Sequence, residues 1–183
     1  MSGLLKFFPP HVKEPYVLTS GLSQKILLTQ NNSIFKNKIV FFYFTAGWCP
    51  HCVKFSPTLV RYYDIIQEKY NKNNKNNNKN ENKNNQMIKP FEVIVVPWET
   101  NQKDLKDLLI NDYSGKFYTL PLHENNNNEN DNIINHFNKS VFHISQIPSL
   151  VAVDADRGVL VSSSMIPMIK ADVQDGGERY PWW

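Results

Sequence analysis

The order of apolar and amphipathic segments predicts an α/β protein built around one core. Two continuous apolar runs, at 39–44 and 91–96, are typical of strands buried on both faces of a sheet. An amphipathic stretch separates them, as in α/β proteins, where helices alternate with strands. A third apolar run at 149–153 is followed by the turn sequence 154–158 and a short return strand, which predicts a C-terminal hairpin.

Shorter segments complete the chain order. Two short apolar runs separated by Ser20-Gly21 predict a short N-terminal strand or a hairpin. Apolar residues at helical spacing predict a helix from Pro50 through Ile66, and proline in the first turn of a helix costs no hydrogen bond. The same spacing predicts two further helices, at 102–111 and 132–142.

Two low-complexity tracts interrupt a chain whose length predicts one domain over 1–183. Every residue in 71–85 is Asn, Lys or Glu, and every residue in 124–132 is Asn, Glu or Asp. Neither tract can bury apolar surface, so we expect both to be solvated loop insertions without fixed structure.

The first tract also accounts for the net charge of the chain. It holds four lysines and one glutamate, so its net charge is +3, the same as that of the whole sequence. The remainder is therefore neutral, and the tract lacks the arginines and aromatic side chains that single-strand binding favours. The basic composition does not indicate a nucleic-acid partner, and we expect none.

Nothing in the sequence indicates a membrane span or an export signal. No apolar stretch approaches the ~18 residues of a transmembrane helix, and the first ten residues lack the apolar core and cleavage site of a signal peptide. Both cysteines belong to one motif, which leaves none for structural disulfides and suits a reducing compartment. We therefore expect a monomer in the cytoplasm, with the nucleus as the alternative, and no membrane partner.

The two cysteines form the motif Trp48-Cys49-Pro50-His51-Cys52, at the junction of the first buried strand and the predicted helix. Cys49 then lies at the helix N-terminus, where unpaired N–H groups and the positive end of the macrodipole stabilise a thiolate. Cys52 lies one turn further along the same helix face, within reach of Cys49. The arrangement predicts a redox-active pair with Cys49 as the nucleophile.

Two other interpretations of the motif have less support. A structural disulfide is disfavoured because closing a four-residue loop removes little entropy from the unfolded chain. A zinc site usually needs four ligands, but there is no second cysteine pair, and His51 lies between the cysteines rather than at ligand spacing. We therefore favour redox chemistry and expect neither a metal nor a cofactor.

Three sequence features together resemble the thioredoxin superfamily. They are Trp-Cys-Pro-x-Cys, Pro57 eight residues after Cys49, and Ile147-Pro148-Ser149 ahead of the last hairpin. More narrowly, the chain is similar to the tryparedoxin and nucleoredoxin branch through 41–52, Trp98-Glu99, 147–156 and Tyr180-Pro181-Trp182. This resemblance implies a thioredoxin-like fold, with a central mixed β-sheet flanked by helices and the two Asn-rich insertions in loops.

The resemblance also implies roles for individual residues. Cys49 would attack a substrate disulfide, and Cys52 would resolve the resulting mixed disulfide. Pro148 would be a cis-proline facing the pair, with the backbone of Ile147 pairing with the substrate chain. Trp48 would shield one side of the motif, and its simpler interpretation as a half-buried hydrophobic anchor is compatible with that role.

Two positions depart from the pattern. Thioredoxin has a buried aspartate six residues before its first cysteine, where this chain has Tyr43, so Glu99 after Trp98 becomes the candidate acid. A surface carboxylate at a strand end is the equally supported alternative. His51 stands where tryparedoxin and nucleoredoxin usually have proline, and a protonated imidazole there favours a thiolate and a more oxidising disulfide.

We therefore expect an enzyme that reduces protein disulfides through Cys49 and Cys52 and serves cell redox homeostasis. By the resemblance, its donor would be a low-molecular-weight dithiol, glutathione or a reductase, and its clients a peroxiredoxin or ribonucleotide reductase. Two alternatives stay open. One is a protein disulfide oxidase or isomerase, because Cys-Pro-His-Cys also occurs in strong oxidants. The other is a non-enzymatic, redox-dependent adaptor like nucleoredoxin.

Overall fold

The computed structural model describes residues 3–28, 34–77, 89–122 and 133–181, and these contain one seven-stranded sheet. Its strands are β1 (Tyr16–Leu18), β2 (Lys25–Leu27), β3 (Ile39–Thr45), β4 (Phe91–Pro97), β5 (Tyr118–Thr119), β6 (Ser149–Asp154) and β7 (Val159–Ser162). They lie side by side in the order β2-β1-β5-β4-β3-β6-β7.

The sheet is mixed, as the resemblance implied. At its centre β3 pairs in parallel with β4 and antiparallel with β6, and β4 pairs in parallel with β5. The predicted C-terminal hairpin is confirmed, because β6 pairs antiparallel with β7, and of the two N-terminal alternatives the hairpin is the one that forms, by antiparallel pairing of β1 with β2. The two-residue strand β5 is too short to leave a period in the sequence, and we did not predict it.

In the described part of the chain, four α-helices accompany the sheet: α1 (Pro50–Asn77), α2 (Gln102–Asp107), α3 (Ile133–Asn135) and α4 (Ile166–Asp172). Turns of π-helix extend α2 through Leu108–Asp112 and α3 through His136–Val141. With these extensions, α2 corresponds to the helix predicted at 102–111 and α3 to the helix predicted at 132–142. A 3₁₀-helix covers Gly3–Phe7. We did not predict α4, because seven residues are too few for a distinct helical period.

Helix α1 corrects the prediction for the first Asn-rich tract. The helix begins at Pro50 as predicted but continues to Asn77, so residues 71–77 are helical rather than a loop. Once a helix is nucleated, each added residue gains one backbone hydrogen bond, and asparagine costs well under 1 kcal/mol relative to alanine. The rest of that tract, and the tract at 124–132, lie outside the described residues.

The core lies in two layers, one on each face of the sheet. Every residue of β3 and β4 is buried, and alternate side chains of β3 point to opposite faces. Phe41 and Tyr43 pack with α1, α2 and α4 on one face. Phe42 and Phe44 pack on the other with the N-terminal 3₁₀-helix and the helical segment that begins at Ile133.

Three chain segments converge at one edge of this sheet. The parallel strands β3 and β4 end together, with Thr45 opposite Pro97, and the Cys-x-x-Cys turn follows β3 directly. The antiparallel strand β6 begins at that edge, with Ser149 opposite Phe44. None of the helices in the described residues is long and apolar enough to cross a bilayer.

Candidate active site

Cys49 lies immediately before α1, at the carboxyl end of β3, and Cys52 lies in the first turn of the helix. Both are reduced and buried. The backbone N–H of Cys52 donates to Sγ of Cys49 at 3.3 Å. This is one of the N–H groups that a helix leaves unpaired in its first turn, and here it points at the Cys49 sulfur. An N–H in this position can stabilise negative charge that develops on the attacking sulfur.

Cys52 has different surroundings, deeper in the protein. Burial, and then the hydrogen bond with Cys49, raise the pKa of the Cys52 thiol to about 12. The backbone N–H of Ala46 and the hydroxyl of Thr45 act in the opposite direction, because each stabilises the thiolate. Cys52 is therefore protonated at neutral pH, as expected of the cysteine that attacks second.

A cluster of hydroxyl groups lies behind Cys52. The Ser56 hydroxyl donates to the Cys52 carbonyl oxygen at 2.9 Å, and the Tyr43 hydroxyl lies 3.3 Å from that of Ser56. The hydroxyls of Thr45 and Tyr113 lie 3.0 Å apart. All four side chains are buried. The polar groups behind the dithiol are therefore uncharged hydroxyls that form hydrogen bonds with one another and with the Cys52 backbone.

Tyr43 occupies the position of the aspartate that thioredoxin buries there, and it cannot replace it as a base. Burial raises the pKa of the Tyr43 hydroxyl to about 12, so the hydroxyl stays protonated at neutral pH. It donates to the Cys52 carbonyl oxygen at 3.5 Å, a long hydrogen bond. Tyr43 therefore contributes a dipole and packing instead of a charge.

The loop before β6 brings Ile147 and Pro148 to the cysteines. The Ile147–Pro148 peptide is cis, as the resemblance implied. The Cys49 thiol lies 3.8 Å from the carbonyl oxygen of Ile147, at hydrogen-bond distance for sulfur. Ile147 also packs against the small cluster that Ala46, Cys49 and Cys52 form. The backbone that was predicted to pair with a substrate chain thus lies directly beside the attacking sulfur.

Glu99 fits neither sequence interpretation completely. The surface-carboxylate interpretation is wrong, because Glu99 is only 8% exposed. Its Oε1 accepts a hydrogen bond from the backbone N–H of Gly47, two residues before Cys49. A side chain at position 47 would meet this oxygen at 3.3 Å, so glycine allows the close approach. Glu99 holds the loop that leads into the motif, and proton transfer to or from the cysteines stays a prediction.

Trp48 is more exposed than predicted. A half-buried anchor was one interpretation, but 62% of the residue is exposed. One edge is tethered, because the indole Nε1–H donates to the carbonyl oxygen of Trp98 at 3.3 Å. The Trp98 indole in turn donates to the side chain of Asn138 at 3.2 Å. Trp48 presents an aromatic surface beside the dithiol, and its shielding role stays a prediction.

His51 and Pro50 complete the predicted set. Pro50 is the first residue of α1, as its place in the motif predicted. His51 follows on the exposed side of the first turn. Its influence on the sulfur stays a prediction.

The sequence analysis missed the hydroxyl partners of Cys52. Ser56 follows Cys52 at helical spacing, and Thr45 ends the strand that leads into the motif, so both could have been found from their positions. Tyr113 lies beyond α2 in the chain and carries no local signal. Only packing of the π-helical end of α2 against β3 brings it to Thr45.

This fold and this pair of cysteines define a thiol–disulfide oxidoreductase. The profile of the thioredoxin-like family matches residues 37–159, and the chain belongs to that family.

Within the family, the chain is similar to tryparedoxins over its whole length. It is 27% identical over 184 residues to tryparedoxin of Trypanosoma brucei brucei, covering 100% of this chain and 99% of that protein. Tryparedoxin II from C. fasciculata is 29% identical with a TM-score of 0.67, covering 98% of this chain and 97% of that one. A structure of tryparedoxin II complexed with glutathionylspermidine is 28% identical, covers 98% of each chain and has a TM-score of 0.67.

Proposed function

We propose that this protein is a protein-disulfide reductase that carries electrons from a low-molecular-weight thiol or a reductase to thiol peroxidases or similar clients. The observation that carries the proposal is the position of the Cys49 sulfur. It accepts the first-turn N–H of Cys52 and lies 3.8 Å from the Ile147 carbonyl, beside the backbone where a substrate chain can pair. A substrate disulfide placed there meets the attacking sulfur directly.

The reaction we propose is thiol–disulfide exchange in two steps. The Cys49 thiolate attacks one sulfur of the client disulfide, which forms a mixed disulfide and releases the first client sulfur as a thiolate. Cys52 then loses its proton to solvent or to that thiolate and attacks Sγ of Cys49. The second client sulfur leaves, so the client gains two electrons and the Cys49–Cys52 pair is oxidised to a disulfide.

The cycle closes when one dithiol or two monothiols reduce the Cys49–Cys52 disulfide. Tryparedoxin II has been observed with glutathionylspermidine, which supports a donor that contains a glutathione moiety. A peroxiredoxin or ribonucleotide reductase is the proposed client class by analogy with tryparedoxin-like proteins. The proposal places the protein in the cytoplasm, with the nucleus as the alternative, as a monomer.

Trapping in a cell extract tests the proposal and identifies the clients. A Cys52→Ser variant cannot resolve the mixed disulfide, so clients should remain bound to Cys49 until a reductant is added. A Cys49→Ser variant is the matched control and should hold none. If both variants retain the same proteins, the binding does not depend on the exchange reaction and the adaptor alternative is favoured.

An insulin-reduction assay distinguishes the alternatives further. Multiple turnovers with dithiothreitol or glutathione as donor support a reductase. Stoichiometric binding without turnover supports an adaptor. Equilibration with glutathione then measures the reduction potential, and a strongly oxidising value would favour the oxidase or isomerase alternative.

A further inference from the structure

A groove with a volume of 640 Å³ runs along the Pro148 side of the dithiol. Its walls come from the first turns of α1, from the loop that carries the cis-proline and from α4. The floor is apolar and includes Phe55, Ile147, Pro148, Ile166 and Val173. An open groove with apolar side chains in its lining can accommodate the side chains of an extended client chain.

The ionisable side chains around this groove are basic. Lys54 and His51 line it from α1, and Lys170 lines it from α4. The Lys170 ammonium lies 5.8 Å from the centre of the Phe55 ring, so it is positioned over the floor. No carboxylate belongs to the described residues that line the groove. In the described parts of the chain, neither lysine has a carboxylate oxygen within 4.0 Å.

The cleft on the opposite side of the dithiol has the reverse charge. Trp48 and Gly47 line it together with four acidic side chains, Glu99, Asp104, Asp107 and Asp112. A negatively charged segment would be repelled there and attracted on the Pro148 side. An acidic client chain is therefore expected to lie along the Pro148 side of the dithiol rather than along the Trp48 side.

The basic groove begins where the exchange reaction takes place. Ile147 lines the groove, and its carbonyl lies 3.8 Å from the Cys49 sulfur. A client whose cysteine bonds to Cys49 can pass its adjacent residues over this region. Exposed ion pairs at the rim of an interface act mainly on association rate and selectivity.

We propose that this groove selects clients that carry an acidic, extended segment next to their reactive disulfide. Lys54 and Lys170 bind the carboxylates of that segment, while the apolar floor contacts its other side chains. The proposal rests on the disulfide-reductase function proposed above and names the client class for that same site.

Synthetic peptide disulfides that differ only in the residues flanking the cysteine test this specificity. One peptide carries glutamates, one lysines and one glutamines at these positions. At low ionic strength, kcat/KM of the wild-type protein should be about fivefold higher for the glutamate peptide than for the lysine peptide. Added salt should reduce that ratio, because it screens exposed charges.

Charge reversal assigns the preference to the two lysines. Lys54→Glu and Lys170→Glu should each bring the ratio of the two rates close to one or below it. Lys36→Glu is the matched control: Lys36 is exposed and precedes β3, at the end of that strand away from the dithiol, and this variant should keep the wild-type ratio. Thermal unfolding monitored by circular dichroism verifies that each variant is folded.

The outcomes separate this inference from the function on which it rests. A wild-type protein that reduces bis(2-hydroxyethyl) disulfide and all three peptides, but with equal kcat/KM, would overturn the charge selectivity and leave the reductase function intact. The same holds if the ratio persists unchanged in both lysine variants. A protein that reduces none of these disulfides would overturn both proposals.

Discussion

The two ends of helix α1 differ in what holds them in place. At the N-terminal end, side chains from β3, Tyr113 and the cis-proline loop surround Cys49 and Cys52. At the C-terminal end, Ile66 is the last buried residue among the side chains of α1 that the structure describes. Beyond it, Lys72 and Glu68 are 74% and 71% exposed and form an ion pair at 3.7 Å. Gln67 donates to the Phe91 carbonyl oxygen at 2.8 Å, and Lys69 pairs with Glu178 at 2.6 Å. One helix thus combines an end surrounded by buried tertiary contacts with an end whose described tertiary contacts are polar.

This difference between the two ends indicates which part of the helix can hold reactive side chains. Backbone hydrogen bonds continue a helix once it is nucleated, even through a polar sequence. They do not control the protonation of a side chain, which depends on burial and on neighbouring polar groups. We expect substitutions at the N-terminal end to alter catalysis and changes at the C-terminal end to have little effect.

The largest effect should come from Cys49. A serine there should abolish disulfide reduction, because a thiolate and not a hydroxyl attacks sulfur. Insulin reduction with dithiothreitol measures the loss, and Cys52→Ser should still form the mixed disulfide. In the reduced wild-type protein at neutral pH, iodoacetamide should label Cys49 well before Cys52. Preferential labelling of Cys52 would show that the nucleophile is assigned to the wrong cysteine.

The next effect concerns the resolving step. Since the Cys52 pKa is raised to about 12 by burial and by the contact with Cys49, its thiolate fraction grows with pH. In the protein with both cysteines, release of the client from the mixed disulfide should therefore accelerate by up to about tenfold per pH unit above neutrality. Thr45→Val removes a hydroxyl that stabilises this thiolate and should slow release about tenfold at a fixed pH.

Stopped-flow tryptophan fluorescence of the mixed disulfide measures these rates. Tyr113→Phe is the matched control, because it removes the partner of the Thr45 hydroxyl and keeps that hydroxyl beside Cys52. Its effect on release should be smaller than that of Thr45→Val. If the release rate is independent of pH, or is equal in the wild-type protein, Thr45→Val and Tyr113→Phe, then deprotonation of Cys52 does not limit the resolving step.

Glu99 should have a moderate effect on stability. Glu99→Ala leaves the Gly47 N–H without its acceptor and should lower the free energy of unfolding by about 1–3 kcal/mol. Glu99→Gln keeps an acceptor oxygen and should cost less. Urea denaturation measures both. If Glu99 only positions the loop, the glutamine variant keeps the wild-type pH profile of reduction, whereas a proton-transfer role requires that the profile change.

The smallest effect is expected at the other end of the helix. Deleting residues 71–85 removes no apolar side chain, and loop length enters the closure entropy only logarithmically. Stability should change by less than about 1 kcal/mol, and activity should be retained. Ile66→Ala, in the buried part of the same helix, is the control and should cost about 2–5 kcal/mol. A deletion as costly as that substitution would mean that the tract packs against the protein.

Most of the fold could be predicted from local patterns. The continuous apolar runs of β3 and β4 and the helical spacing from Pro50 to Ile66 are signals within single segments. The segments that were missed, β5 and α4, are short, and contacts with the rest of the core stabilise them. Residues 71–77 were assigned to a loop on composition, but they continue a helix that other residues nucleate.

The sequence by itself determined the redox motif, its place at the start of a helix and the α/β order around it, because these depend on neighbours in the chain. Only the tertiary structure decided the surroundings of each sulfur. It buried Glu99 against Gly47, brought Tyr113 to Thr45, and placed Lys170 across a groove from Lys54. These contacts join segments that are distant in the chain, so no local spacing encodes them. They depend on how the strands and helices pack, and it is this packing that sets the chemistry of the two cysteines.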